Sequence, residues 1–330
     1  MLGLSAAAAF AAAVTVSSAR PRPGRAAPQA AGARELAPHG RMLLAGGQLL
    51  HSTVLQSFGF DERHGHLYAL QLMQGDVRLD GERRAYTHTE RAQRGDLCLN
   101  RLSMDGTLIG SMYLLGFGHG GALGVEQTER GGALMWTEWD ANPASGYGRG
   151  ICRFPFTDGT VLTPGSPRLT PYRPVPGSTS NTATLDPVSG RLLLRYKIAG
   201  VPRFRLFDAA RLAAHDDRPL ADFPQPGADL GLPFQGMTLW AGHAYQLLGS
   251  AYSPANPASS EGNIRLFRIQ LTTGRVEQQI LDATARDLLP REPEGLAVLA
   301  PCGADPLLCM GLTQGHVRDK SFSLYYRPLA

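Results

Sequence analysis

Lysine is nearly missing from this sequence. Lys197 and Lys320 are the only two in 330 residues, and arginine carries almost all the remaining positive charge. The arginines are scattered rather than blocked and the net charge is only +4, which argues against a basic arm for nucleic acid. Long apolar runs are also missing once the N-terminus is passed; none approaches the ~20 residues a helix needs to cross a membrane. No G-x-S-x-G occurs, so an esterase of the α/β-hydrolase type would have no nucleophile elbow. No acidic calcium loop of EF-hand type is present, and His64 and His66 form an H-x-H with no third ligand nearby, so neither a metal nor a cofactor is expected. Helix is scarce: "DAARLAAHD" near Asp208 is the one short candidate. Cysteine is sparse. Cys98 and Cys152 sit in apolar runs that predict burial, whereas Cys302 and Cys309 flank "PCGADPLLC" and could join across a hairpin in an exported chain.

Glycine (39) and proline (24), by contrast, are plentiful, the balance of a β-rich chain with many turns. At the N-terminus, "LGLSAAAAFAAAVTV" followed by small residues up to Ala19 predicts a signal peptide over 1–19. "RPRPGRAAPQAAGARELAPHG" then reads as a disordered Pro/Ala linker over 20–40, leaving 41–330 as one folded domain.

That domain repeats itself. A short strand, a Gly-centred turn and a more apolar strand recur in "SFGFDERHGHLYALQL", "LGVEQTERGGALMWTEW", "ATLDPVSGRLLLRYK", "MTLWAGHAYQLLGSAY" and "GLAVLAPCGADPLLCMGLT". A further strand pair follows, turning at Asp105-Gly106, Asp158-Gly159 or Thr273-Gly274, where glycine supplies the positive φ of a tight hairpin. Five units of about four antiparallel strands predict a five-bladed β-propeller, because one such sheet cannot bury both faces until neighbours cover them. A six-bladed ring and a two-sheet sandwich are the alternatives. "RMLLAGGQLL" has no partner in its own unit and is placed to close the ring on the last blade.

The string "GFGHGG" at 116–121 satisfies both G-x-G-x-x-G and H-G-G. A dinucleotide turn needs a following helix, and here the chain breaks at Gly131-Gly132 and resumes as a strand. In the repeat register His119 instead falls at the crossing into an innermost strand, as do Gln56, Asn181, Gln235 and Glu294. These five polar residues are predicted to converge on the channel mouth, either as a plug or as a ligand floor, with Gly120, Gly236 and Gly295 allowing the strands to crowd.

Loops between the second and third strands of each blade should open on the same face. They carry His88, Arg91 and Arg94; Tyr147 and Arg149; Lys197 and Arg203; Tyr252 and Asn256; and His316, Arg318 and Lys320. Guanidinium and ammonium groups over a polar floor suit an anion, and Trp136, Trp139 and Tyr147 could stack on a sugar. An enzyme of the polysaccharide lyase or glycoside hydrolase type is the alternative, with His119 as base beside Tyr196 or Tyr252, or with Glu294 and Glu138 as a carboxylate pair. A protein-interaction scaffold is the third reading.

The run "GDLCLNRLSMDGTLIGSMYLLGFGHGGALGVE", with "LMWTEWD" and "EPEGLAVL", resembles the β-propeller shared by staphylococcal phage receptor-binding tail proteins and secreted teichoic acid biosynthesis protein C-like proteins of actinobacteria. The resemblance runs from about Leu50 to the C-terminus and matches His119, Gly120 and Glu126. It implies a five-bladed propeller and, in the phage proteins, a grip on teichoic acid, a polyol-phosphate polymer; it implies no catalytic set. The expectation is therefore a secreted or cell-wall-associated monomer binding an anionic cell-wall polysaccharide.

Overall fold

A computed structural model describes residues 34–129, 132–316 and 318–329; the expected signal peptide and most of the expected linker lie outside them. After β1 (Arg41–Gly47), the first blade contains β2 (Leu55–Asp61), β3 (His66–Leu72), β4 (Leu97–Ser103) and β5 (Leu108–Leu114). Helix α1 (His88–Arg94) lies between β3 and β4. The second blade has β6 (Gly124–Gln127), β7 (Ala133–Ala141) and β8 (Gly148–Pro155); next come β9 (Val161–Leu162) and β10 (Thr170–Tyr172), of which β10 completes this blade. The third is β11 (Thr179–Asp186), β12 (Arg191–Ile198), β13 (Val201–Asp208) and β14 (Ala221–Pro224), with α2 (Ala209–Ala213) before β14. The fourth is β15 (Phe234–Trp240), β16 (His243–Leu248), β17 (Arg265–Gln270) and β18 (Val276–Leu281). The last is β19 (Glu292–Leu299), β20 (Leu307–Gln314) and β21 (Ser321–Pro328), completed by β1 pairing antiparallel with β21. The ring has five blades, and its first strand closes the last.

Strand alternation explains why the blade strands read as nearly continuous apolar runs. Along β3, Leu67 and Ala69 enter the apolar cluster shared with the last blade, while Tyr68, Leu70 and Leu72 enter the one shared with the second. Five such clusters lie at the five blade-to-blade contacts, so each sheet buries both faces and depends on two neighbours.

Two expectations fail, and the open question of the Cys302–Cys309 bridge is answered. The Asp158-Gly159 turn does not return the chain to β8: β9 runs parallel to β5 of the preceding blade, fixed by Asp158 Oδ1 accepting from Ser111 N at 2.7 Å. Residues 34–40 are not linker. Leu36 is buried between the fourth and last blades, and the guanidinium of Arg327 donates to the carbonyls of Ala37 and Pro38. Cys302 and Cys309 are not bridged; Cys309 points into the core from β20 and Cys302 is exposed in the turn before it. Helix α1 was not expected, although its start is written as Thr87-x-x-Glu90: the Thr87 hydroxyl accepts from Glu90 N and the Glu90 carboxylate accepts from Thr87 N. Among the described residues no helix is long and apolar enough to cross a membrane.

Candidate functional site

The innermost strands β2, β6, β11, β15 and β19 surround the axis, and in four of them the register slips near the start: at Leu55/Ser57, Thr179/Thr182, Phe234/Gly236 and Glu294/Leu296. Such bulges re-aim a side chain out of the ladder. Those at Gln56 and Gln235 turn these amides toward a cavity of about 1070 Å³ at one mouth of the channel, and Glu294 reaches the same cavity beside the slip in β19. The fifth inner strand, β6, is short, and the "GFGHGG" loop stands in front of it.

One carboxylate holds that loop. Glu138 on β7 is 1% exposed and accepts from four backbone N–H groups: His119 and Gly148 on Oε2, Gly120 and Gly121 on Oε1, all between 2.9 and 3.1 Å. The glycines therefore serve a close approach of backbone to carboxylate. A Cβ at 118 would stand 2.2 Å from Glu138 Oε2. With its backbone so held, His119 sets its ring 4.9 Å from that of Tyr147, on the wall of the cavity.

The remaining wall is cationic and apolar. Arg195 and Lys197 share one face of β12, and Arg318 and Lys320 come from the β20–β21 connection. Phe234, Leu232 and Pro233 line the side contributed by the β14–β15 connection. Among the described residues Arg195, Lys197 and Arg318 make no ion pair, while Lys320 Nζ lies 3.8 Å from Glu292 Oε2. Asp76 and His88 enter from the long β3–β4 connection, Asp76 as an exposed carboxylate.

Burial governs titration here. It pushes Glu294 well above the usual carboxylate range, with Glu292 adding to the shift and Lys320 opposing it. Desolvation lowers His119 against the pull of Glu138, so the imidazole is neutral at neutral pH. Burial lowers Arg195 to about 10, with Glu138 and Tyr147 opposing, which leaves it a cation. A neutral imidazole and a carboxyl with a raised pKa thus share the cavity with cations that have no carboxylate partner among the described residues.

The sequence profile of the phage five-bladed β-propeller receptor-binding platform domain matches residues 54–326. The chain belongs to that family. The chain is 28% identical over 287 residues to a protein of Bacillus subtilis (strain 168) named as a major teichoic acid biosynthesis protein C, covering 83% of this chain and 59% of that one. The tail fibre of Staphylococcus aureus phage P68 superimposes with a TM-score of 0.68 at 19% identity, over 88% of this chain and 53% of the fibre, which establishes likeness of fold. The chain spans between half and three fifths of the length of both.

On this family member's cavity the residues singled out in the sequence separate into two groups. Gln56, His119, Gln235, Glu294, Lys197, Tyr147 and Arg318 line it. Asn181 does not: it is fully buried, accepts from Ser178 Oγ and donates to Gly148 O, and its neighbours Ser180 and Thr182 line the wall instead. The β11 slip passes two residues rather than one, and Ser180 takes φ 52. Trp136 is also fully buried, stacked 5.3 Å from Tyr172, with Nε1 donating to Glu126. Glu126 also receives Arg153, so that motif position is structural. Tyr196 is buried and donates to Asp222 at 2.8 Å. Tyr252 and Asn256 belong to the β16–β17 connection, which contributes nothing to the cavity wall, and Arg149 pairs with Asp140 outside it. Arg203 is bound to Asp222, and Arg91 is buried against Glu82 and Asp96. Arg94 pairs with Asp96, the Trp139 indole donates to Pro164 O, and His316 is not on the wall.

Arg195, Gln225 and Phe234 were missed. Along β12, Leu192, Leu194 and Tyr196 face the second blade and Leu193 faces the fourth. Alternation therefore puts Arg195 and Lys197 on the side of the fourth blade, and a charge interrupting "RLLLRYKI" was the available signal.

Proposed function

We propose that this propeller binds an anionic cell-wall glycopolymer, a teichoic-acid-like polyol phosphate, in the cavity at its channel mouth, and that it acts outside the cell, secreted or wall-associated. The observation that carries this reading is the set of three cations, Arg195, Lys197 and Arg318, left without carboxylate partners on one concave wall. Elsewhere on the same blade Arg191, Arg203 and Arg205 each have a carboxylate. Tyr147 and Phe234 supply ring faces for the uncharged part of a polyol or sugar. The family description, receptor-binding platform, and the printed name of the Bacillus relative, teichoic acid biosynthesis protein C, point in the same direction. Localisation rests on the N-terminal apolar segment of the sequence.

The test uses isolated Gram-positive cell walls before and after hydrofluoric acid, which cleaves phosphodiester-linked polymers from peptidoglycan. Salt-sensitive retention on intact walls that disappears from stripped walls is the expected result. Equal retention on both contradicts it. Release of new reducing ends or of unsaturated uronates from the walls would move the reading to the enzyme alternative, in which Tyr147 would be the tyrosine beside His119.

A further inference from the structure

Arg195 is held in one orientation before any ligand arrives. Its Nε donates to Gln225 Oε1 at 2.7 Å, and its guanidinium carbon lies 4.2 Å from the centre of the Phe234 ring. Gln225 is 6% exposed, so the acceptor is itself fixed. These two contacts use the Nε edge and one face of the plane. Among the described residues Nη1 and Nη2 make no hydrogen bond and no ion pair, and neither is sealed from solvent: buried orphan donors occur on Arg91, Arg291 and Arg327 but not on Arg195. The free edge is the two-pronged end of the fork, on a residue that lines the cavity.

A half-buried guanidinium has lost part of its hydration, and a carboxylate partner is the usual compensation. The neighbouring Arg191, Arg203 and Arg205 each have such a partner, and Arg195 has none among the described residues. Lys197 and Arg318 differ from it in kind: no hydrogen bond from either side chain restrains it among the described residues, so they contribute charge without direction.

Resting on the reading above, we propose that Arg195 is the oxyanion-recognising group of the cavity, a preset bidentate clamp for the two free oxygens of a phosphodiester, with Gln225 and Phe234 as its positioning residues. The chemistry is that of parallel N–H···O bonds to two oxygens sharing one negative charge, which a planar fork makes and an ammonium cannot. Glu294 and the amides of Gln56 and Gln235 then face the hydroxyls between successive phosphates.

The experiment titrates purified 1,3-poly(glycerol phosphate) oligomers into the intact protein by calorimetry, with polyglucuronate as a second arm. Arg195→Lys, which keeps the charge and loses the fork, should weaken binding of the phosphate polymer by about tenfold or more, whereas Lys197→Arg should change it by less than about threefold. Gln225→Leu should weaken it similarly, and Gln225→Glu, which keeps the acceptor for Nε but gives the guanidinium a carboxylate partner, should weaken it at least as much without loss of stability in urea unfolding; a merely structural role would not give that loss. Wild-type affinity in Arg195→Lys overturns the clamp and leaves the wall-binding reading standing. Tighter binding of polyglucuronate than of the phosphate polymer overturns the phosphodiester assignment. Failure of the wild-type protein to bind either polymer removes the broader reading along with the clamp.

Discussion

Glu138 and Glu294 share a cavity and do opposite things. Glu138 spends both oxygens on four backbone donors, so Glu138→Gln would turn an amide N–H₂ toward N–H groups. With hydrogen bonds to charged groups contributing about 1.5–3 kcal/mol each, a loss of roughly 3 kcal/mol in urea unfolding is expected, together with loss of polymer binding. Glu294 is shifted the other way, and the sign is definite. A carboxyl whose folded value is raised favours the folded state while protonated, so its contribution is complete below the unfolded value near 4.5 and falls as pH rises through the folded one. Glu294→Gln removes that fall: unfolding free energy from pH 5 to 8 should decline less steeply than in wild type, and a variant as steep as wild type would show that Glu294 is not the buried acid. Gln56, Gln235, His119 and Glu294 were legible because they recur at one repeat position. Asn181 obeyed the same spacing and still turned inward, because a two-residue slip is not visible in a sequence period. Trp136 and Tyr196 were misread for a related reason, since ring size says nothing about which face of a doubly buried strand a residue takes.

At the level of elements, the turns were readable and their partners were not. Gly106 and Gly274 take φ 91 and 72 in the β4–β5 and β17–β18 hairpins, as the Asp-Gly and Thr-Gly pairs require. Asp158-Gly159 has the same chemistry, yet the strand after it joins the neighbouring blade, because Asp158 finds the open edge of β5. The segment before β1 was misjudged from its composition. Pro and Ala carry no pattern, and the segment's order comes from Leu36 filling a gap between blades and from Gly40 N donating to Thr284 Oγ1. Leu36→Ala is expected to cost about 2–3 kcal/mol in urea unfolding, the lower part of the range for a buried leucine, where the cavity partly closes. An effect under about 0.5 kcal/mol, the size found for surface positions, would return that segment to the status of linker.

For the whole molecule, five sheets that each need two neighbours make closure the decisive event, and it is accomplished by β1 on the edge of β21 with residues 34–40 alongside. Closure brings the starts of five inner strands to one axis, and the cavity is the space their bulges leave. Of the unpaired charge there, Lys197 and Arg318 were legible as loop cations on the mouth face, whereas Arg195 lies inside β12, and the ring brings all three together. The most direct test of the central claim is an equilibrium titration of the intact protein with purified polyol-phosphate polymer at rising sodium chloride. The account predicts saturable binding that weakens steadily with salt and falls at least about tenfold when Arg195, Lys197 and Arg318 are all replaced by glutamine. Absence of binding at low salt, or binding of equal strength in the triple variant and in high salt, would contradict it.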